Sequence, residues 1–390
     1  MLYAGVDIAK RFHVMCVKDP DGSVVLGPSE YANDAPGLRA MLADLASLSG
    51  PDGLSVGMEA TGHYWRSCHA ALSEGGYSVC VMNPLRTRAL RDATNLGRAK
   101  TDRVDCGVIA DALRMLSPRA TAVAPERLSR LRDLSRFQQS LASQVSEVKQ
   151  RLTIVLDQVW PEFSRCFSSP FTGSALAVLR GWGTPDRVRE APVADIAAAI
   201  ASASRNRFRE AKAAEVSASA FGTCGIPATC AHRLMLSQLL AQYDLLAAQA
   251  AEVDEALLTL LHEVAPQVLT VPGVSARLGA QIVAEVGDVS RFPSASHLVS
   301  FAGLDPVRCQ SGDFEAPRSR ISKKGSPHLR RALYLASMAN LGTDSVFRVY
   351  YDRHRGRGAP HRYALCATAR KMACVVYAIL RTGEDFDPTR

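Results

Sequence analysis

The sequence is short of several features that would assign it quickly. None of its 10 cysteines sits in a Cys-x-x-Cys pair. That removes the ribbon-type zinc motif and the thioredoxin-type redox motif, and scattered thiols suit a reducing compartment better than a disulfide framework. Cys224, Cys230 and His232 come nearest to a metal-ligating group, but their spacing matches no finger pattern and a fourth ligand is missing. No run of about 18 apolar residues is evident, which speaks against a membrane span. No early apolar segment has the form of a signal peptide. The chain is therefore expected in the cytoplasm, with no membrane partner. Glycine-rich phosphate loops are lacking apart from the weak GMEATG at Gly57–Gly62, which counts against an actin-like or sugar-kinase-like nucleotide-binding protein.

What the chain does have is length and positive charge. Its 390 residues suggest two or three domains, and 47% hydrophobic content allows a large core. The net charge of +8 favours an anionic partner, most commonly nucleic acid, over a mildly basic enzyme with no such partner.

Strand and helix signals alternate over residues 1–124. Leu2–Val17 reads as a buried strand carrying Asp7, then a turn and the second strand of a hairpin. An amphipathic helix is expected over Pro36–Ser47, strands over Gly53–Glu59 and Tyr77–Met82, and a helix over Gly62–Ser73. Leu85–Leu116 is basic and then helical. This order predicts an α/β domain with a mixed sheet. Residues 125–265 read as helical, with two long runs, Glu126–Val159 and His232–Val264, able to pair antiparallel as a coiled coil. Between them lies an Ala-, Ser- and Arg-rich insert at about 161–230 whose composition indicates only helix. Residues 266–390 form a mostly helical third segment. Thr270–Asp288 has the form of a helix-hairpin-helix unit, which offers backbone N–H groups to phosphate; the plain alternative is a tight helical turn. A polar, basic loop follows at Asp305–Gly325, then a helix from Ser326, a basic segment from Arg348 and a final helix over Tyr363–Arg381.

Four carboxylates stand out. Asp7 and Glu59 each end a predicted strand, and Asp102 and Asp105 lie three apart at the start of a helix, on one face. Taken singly they have ordinary explanations: a salt bridge from Asp7 to Lys10 or Arg11, a helix-start acid at Glu59, and ion pairs of Asp102 and Asp105 with Lys100 and Arg103. Brought together at one sheet edge they would repel unless cations bridged them. Two Mg²⁺ ions roughly 3.5–4 Å apart are the usual solution in phosphoryl transfer.

With those residues in place, the chain resembles the IS-one-ten family of bacterial insertion sequences, the DEDD-type transposases or bridge-RNA-guided recombinases. The matching stretches are GVDIAK, GMEATGHYW, NPLRTRALRDATNLGRAKTDRVDCGVIA, TVPGVSARLGAQIVAEVGDVSRFPSASHLVSFAGLDPVRCQSG, RISKKGSPHLRRALYLAS and YALCATARKMACVVYAILRTGE. The resemblance implies an RNase H-like (RuvC-like) domain over 1–124, a helical dimerisation region over 125–265 and a C-terminal transposase domain over 266–390. It implies Asp7, Glu59, Asp102 and Asp105 as ligands for Mg²⁺, with Mn²⁺ as a substitute. It also implies a nucleophilic serine, which falls on Ser311 in CQSGD, with Ser322 and Ser326 as nearby rivals. That serine would form a phosphoserine–DNA link, the two halves of one site coming from different protomers of a dimer or a dimer of dimers. The implied partners are donor and target DNA and an element-encoded guide (bridge) RNA, with the protein nucleoid-associated. Nucleic-acid contacts are expected from Arg86, Arg88, Arg98, Lys100, Arg308, Arg318, Arg320, Lys323, Lys324, Arg330, Arg331, Arg370 and Lys371. Tyr350 and Tyr351 are stacking or packing candidates, and Tyr363 is expected to pack in the core. The rival reading is a RuvC-type metal-dependent nuclease that uses water as nucleophile.

Overall fold

In the computed structural model, the apolar N-terminal run becomes β1 (Leu2–Asp7), the central strand of a five-stranded sheet. Its Ala4, Gly5 and Val6 are buried. β2 (Phe12–Lys18) pairs antiparallel with β1, and β3 (Val24–Ala32) antiparallel with β2. After α1 (Ala35–Leu48), β4 (Leu54–Glu59) returns parallel to β1 on its other side. α2 (Trp65–Glu74) then leads to β5 (Ser78–Met82), parallel to β4. The strand order is β3-β2-β1-β4-β5. α3 (Pro84–Thr94) and α4 (Asp102–Leu116) complete this unit. The chain divides into two compact units, Met1–Val123 and Ala124–Arg390. The structure describes all residues except 61, 95–101, 119, 122–124, 206, 208–209, 308–309, 312–313, 316–319 and 390, and the side chains of 85, 94, 102, 307, 310–311 and 314–315.

β3 had no counterpart in the sequence reading. Gly27 and Pro28 interrupt its apolar pattern, and both are tolerated because the strand lies at the sheet edge, where a missing N–H donor costs little. Gly5 has a definite task. A Cβ there would lie 2.1 Å from the Cys106 carbonyl oxygen and 2.4 Å from the Ala110 nitrogen. Only glycine lets α4 lie this close on β1.

The second unit is helical and holds two cores. α5 (Glu126–Val159, 34 residues) and α10 (Cys230–Val264, 35 residues) pack along each other. Leu131 near the start of α5 shares a core with Leu257 and Leu261 near the end of α10, so the pair is antiparallel. At the other end α6 (Gly173–Gly181), α7 (Pro185–Glu190), α8 (Val193–Ala203) and α9 (Glu210–Phe221) form a cap. Its core centres on Trp160, Phe163, Val188 and Ile200. The insert of unreadable role thus has its own small core. Glu162 ties that cap together: the Thr223 hydroxyl and the Cys224 amide hydrogen-bond its carboxylate and hold the carboxyl down at about 2. Cys224 and Cys230 are exposed, and His232 is engaged as the helix cap partner of Thr229. No His, Cys, Asp or Glu group able to hold a metal occurs among the described residues.

α11 (Ala276–Val286) and α12 (Ala295–Phe301) follow. The short strands β6 (Pro306–Val307), β7 (Gln310–Ser311), β8 (Phe314–Glu315) and β9 (Arg320–Ile321) come next. α13 (Pro327–Ala339), α14 (Val346–Gly356) and α15 (His361–Thr382) end the unit. The Pro272-Gly273 turn has φ +78° at Gly273, where a Cβ would collide with the Asn340 amide nitrogen. That amide donates to the Pro272 and Ala336 carbonyls at 2.8 Å. Residues Gly279–Val286 of α11 are all buried. The turn is thus tied to Asn340 and its helix is set in the core. α15 also corrects the reading of the apolar runs. It is long and apolar enough to cross a membrane by length and composition, but Leu365, Met372 and Val376 on it are buried in this unit.

Candidate active site and nucleic-acid cleft

Two of the acids stand where neighbouring parallel strands end. β1 and β4 are parallel, and Val6↔Met58 is their last paired position, so Asp7 and Glu59 are the next residues at the same edge. α4 crosses over Gly5 and brings Asp105, only 5% exposed, towards that edge. Arg91 of α3 reaches it, Nη2 to Oδ1 at 2.9 Å. The Thr87 hydroxyl donates to Glu59 Oε1. Thr87 and Arg91 are four apart and so share one face of α3. That helix therefore satisfies two of the acids. The Cys106 thiol is pushed up by its hydrogen bond with Cys16, then by burial, then by charges that include Asp7. Asp7 is thus within electrostatic reach of the residue that follows Asp105. Asp102 is the first residue of α4, and its side chain lies outside the described set.

The donor set suits a hard divalent cation, since every candidate ligand is a carboxylate oxygen. Asp105 Oδ1 is buried and has no hydrogen bond, only the ion pair with Arg91. That unmet lone pair is what a cation would take up, but the described residues alone form no metal-holding group, and Asp102, whose side chain lies outside them, would have to complete one. Lys100, weighed as a partner for Asp105, lies outside the described residues, and the partner that those residues give it is Arg91, which sequence reasoning missed. The signal available for it was the four-residue spacing in TRALR.

In the C-terminal unit, β6 pairs with β9, and β7 with β8, as nested short ladders. Ser311 pairs with Phe314 across the inner one; its side chain lies outside the described set. The two rivals are both hydrogen-bonded to carboxylates. Ser322 donates to Asp305 Oδ1 at 2.6 Å. Ser326 caps α13 and donates to Glu285 Oε2 at 2.8 Å. Glu285 is buried, which by itself would raise its carboxyl. The Arg136 guanidinium at 3.0 Å, followed by the Ser326 hydroxyl, outweighs burial and holds it below the usual range. Ser326 is therefore committed to helix capping and to a buried ion pair, whereas Ser322 faces a carboxylate able to take its proton.

β9 borders a basic cleft of about 1430 Å³. Arg320, Lys323, Arg330 and Arg331 line it, together with His354, Arg357 and Arg362 from the basic segment that begins at Arg348. A smaller compartment of about 280 Å³ adjoins it and is lined by Arg370 and Lys371. Lys324 is exposed nearby in sequence. Tyr351 is buried and hydrogen-bonds His361 at 2.6 Å. Tyr363 departs from its expected core role: it is 50% exposed and lines both compartments. Position 363 lies on the outward side of α15, two residues before buried Leu365. On α3, Arg86 is exposed and Arg88 is ion-paired with Asp92 at 3.8 Å. Arg98, Lys100, Arg308 and Arg318 lie outside the described residues.

Comparison with known proteins gives these features a common setting. A DEDD transposase model, described as a transposase, matches residues 4–161, which include all four acids. A second, described as transposase of the IS116/IS110/IS902 family, matches residues 265–352, which include Ser311. A 43.6 kDa protein of insertion element IS110 from Streptomyces coelicolor is 28% identical over 99% of this chain and 95% of its own length. A 42 kDa protein of insertion element IS900 from Mycobacterium paratuberculosis is 27% identical over 99% of this chain and 97% of its own. The pilin gene-inverting protein of Moraxella bovis is 32% identical over 33% of this chain and 40% of its own. Acids at the strand ends, a serine-bearing β-extension beside a basic cleft, and matches at both ends of the sequence agree: the chain belongs to the IS116/IS110/IS902 family of transposases.

Proposed function

We propose that this transposase cuts and rejoins DNA strands with an acidic centre in a RuvC-like N-terminal domain and a serine nucleophile, Ser311, in the C-terminal one. The observation that carries the acidic half is the adjacency of Asp7 and Glu59 at the ends of two parallel strands, with buried Asp105 brought to the same edge. Asp7, Glu59, Asp102 and Asp105 would hold Mg²⁺, or Mn²⁺ in its place. When bound, such an ion polarises a scissile phosphate and offsets charge on the leaving oxygen. Arg91 and Thr87 hold two of these carboxylates in place before substrate arrives.

The covalent step is a transesterification. The Ser311 oxygen forms a bond to phosphorus and loses its proton, while the bond from phosphorus to the 3′ oxygen breaks and that oxygen takes up a proton. The freed 3′ hydroxyl then attacks a phosphoserine link on a partner strand and regenerates the serine, so no bond energy is lost. The gene-inverting relative supports rejoining as well as cutting. An element-encoded guide RNA pairing with donor and target DNA fits the unpaired cations of the basic cleft, which recognise backbone rather than sequence. Self-association is supported by apolar residues left exposed on the long helices, among them Ile154, Leu234, Met235 and Leu245. This protein would act in the cytoplasm, on the nucleoid.

The alternative is a nuclease that uses water. Ser311→Ala separates the two. Labelled junction DNA incubated with Mg²⁺ and wild-type protein is expected to give a protein–DNA adduct on a denaturing gel, mapped to Ser311 by mass spectrometry. Ser311→Ala is expected to give neither adduct nor cleavage, while Ser322→Ala still forms the adduct. Cleavage by Ser311→Ala would establish the water mechanism instead.

A further inference from the structure

The C-terminal cleft has two features that gripping a duplex does not require. The first is its charge. No Asp or Glu occurs among the described residues that line either compartment. Arg331, Arg357, Arg362, Arg370 and Lys371 have no ion-pair partner among the described residues. The second is a ladder of rings. Tyr350 and His354 lie 4.9 Å apart between centroids, and His354 and Tyr363 lie 6.0 Å apart, both edge-on. All three rings line the smaller compartment, and Tyr363 is half exposed.

A base inside a duplex has both faces covered by its neighbours, so a ring set in a narrow recess can be used only by a base that has left the stack. Aromatic stacking combined with a cationic track is the general device for unpaired strands. We infer that this cleft takes a single-stranded polynucleotide. One base enters the smaller compartment against Tyr350 and Tyr363, and the flanking phosphates run along Arg331, Arg357 and Arg362. The inference rests on the nucleic-acid part of the proposed function but not on the acids or on Ser311. RNA and displaced DNA share this chemistry.

The test is fluorescence anisotropy with the full-length protein and three labelled probes: a short oligo(dT), an oligo(U) of the same length and a blunt duplex. Wild type is expected to prefer the single strands. Tyr363→Ala is expected to weaken single-strand binding about tenfold and to leave duplex binding unchanged, while Tyr363→Phe keeps single-strand affinity and shows that the site is still folded. Preference for oligo(U) assigns the strand to RNA, and equal binding or a preference for oligo(dT) assigns it to displaced DNA. Wild-type single-strand affinity in both Tyr363→Ala and Tyr350→Ala, or equal loss on duplex and single strand, overturns the inference. A protein that shows the expected pattern but never cuts or joins DNA would sink the recombinase reading and leave this one standing.

Discussion

The acidic edge of the N-terminal unit and the basic cleft of the C-terminal unit treat charge in opposite ways. At the acidic edge the charges are neutralised from within: Asp105 is buried against Arg91, and Glu59 accepts from Thr87. In the cleft the cations converge, and Arg331, Arg357 and Arg362 have no ion-pair partner among the described residues. A buried carboxylate must be compensated to fold at all, whereas exposed guanidinium groups stay hydrated and cost little until a partner arrives. The first arrangement suits a pre-formed reaction centre, and the second suits a surface that waits for a polyanion.

The sharpest way to break this contrast is to strand the buried acid. Arg91→Ala leaves Asp105 without its counter-charge, and loss of one partner of a buried pair costs about 3–5 kcal/mol. The N-terminal unit should melt earlier, and added Mg²⁺ should restore part of the loss because the acids then share a cation. Thermal melts with and without the ion read both effects. A smaller loss is expected from Gly5→Ala, which forces α4 off β1; overpacking of this kind costs about 1–3 kcal/mol. Nucleic-acid binding by the C-terminal cleft should be unchanged in that variant, as anisotropy would show. The mildest effect concerns Glu285. Its carboxyl is held below its ordinary value, so the stability it confers is complete above the unfolded value of about 4.3 and is lost as pH falls from there through the folded value. Glu285→Gln should therefore flatten the acid limb of the stability–pH curve, measured by melts across acidic buffers.

Much of the N-terminal unit was legible because its signals are local. Apolar runs that end in an acid gave β1 and β4, and the glycine-containing turn at Gly62 marked the end of β4. β3 escaped because an edge strand tolerates the Gly27-Pro28 pair that normally argues against a strand. The four acids were legible as types and spacings, but Arg91 and Thr87 were not. Their role follows from how α3 lies across the sheet edge, and a sequence does not state that. Tyr363 illustrates the same limit. Its neighbours on α15 are core residues, and which side of the helix it occupies depends on packing against α14. The cap at 161–230 was hidden because Ala-rich helices carry little pattern, although Trp160 and Phe163 at its base organise a core.

The division of labour between the two regions is tested most directly by Asp7→Asn. Strand cleavage with Mg²⁺ and binding of a labelled single strand should be measured on the same preparation. The account predicts that cleavage falls at least about a thousandfold, as expected when several kcal/mol of transition-state charge stabilisation is removed, while binding stays at the wild-type level. Cleavage at the wild-type rate in this variant would contradict it.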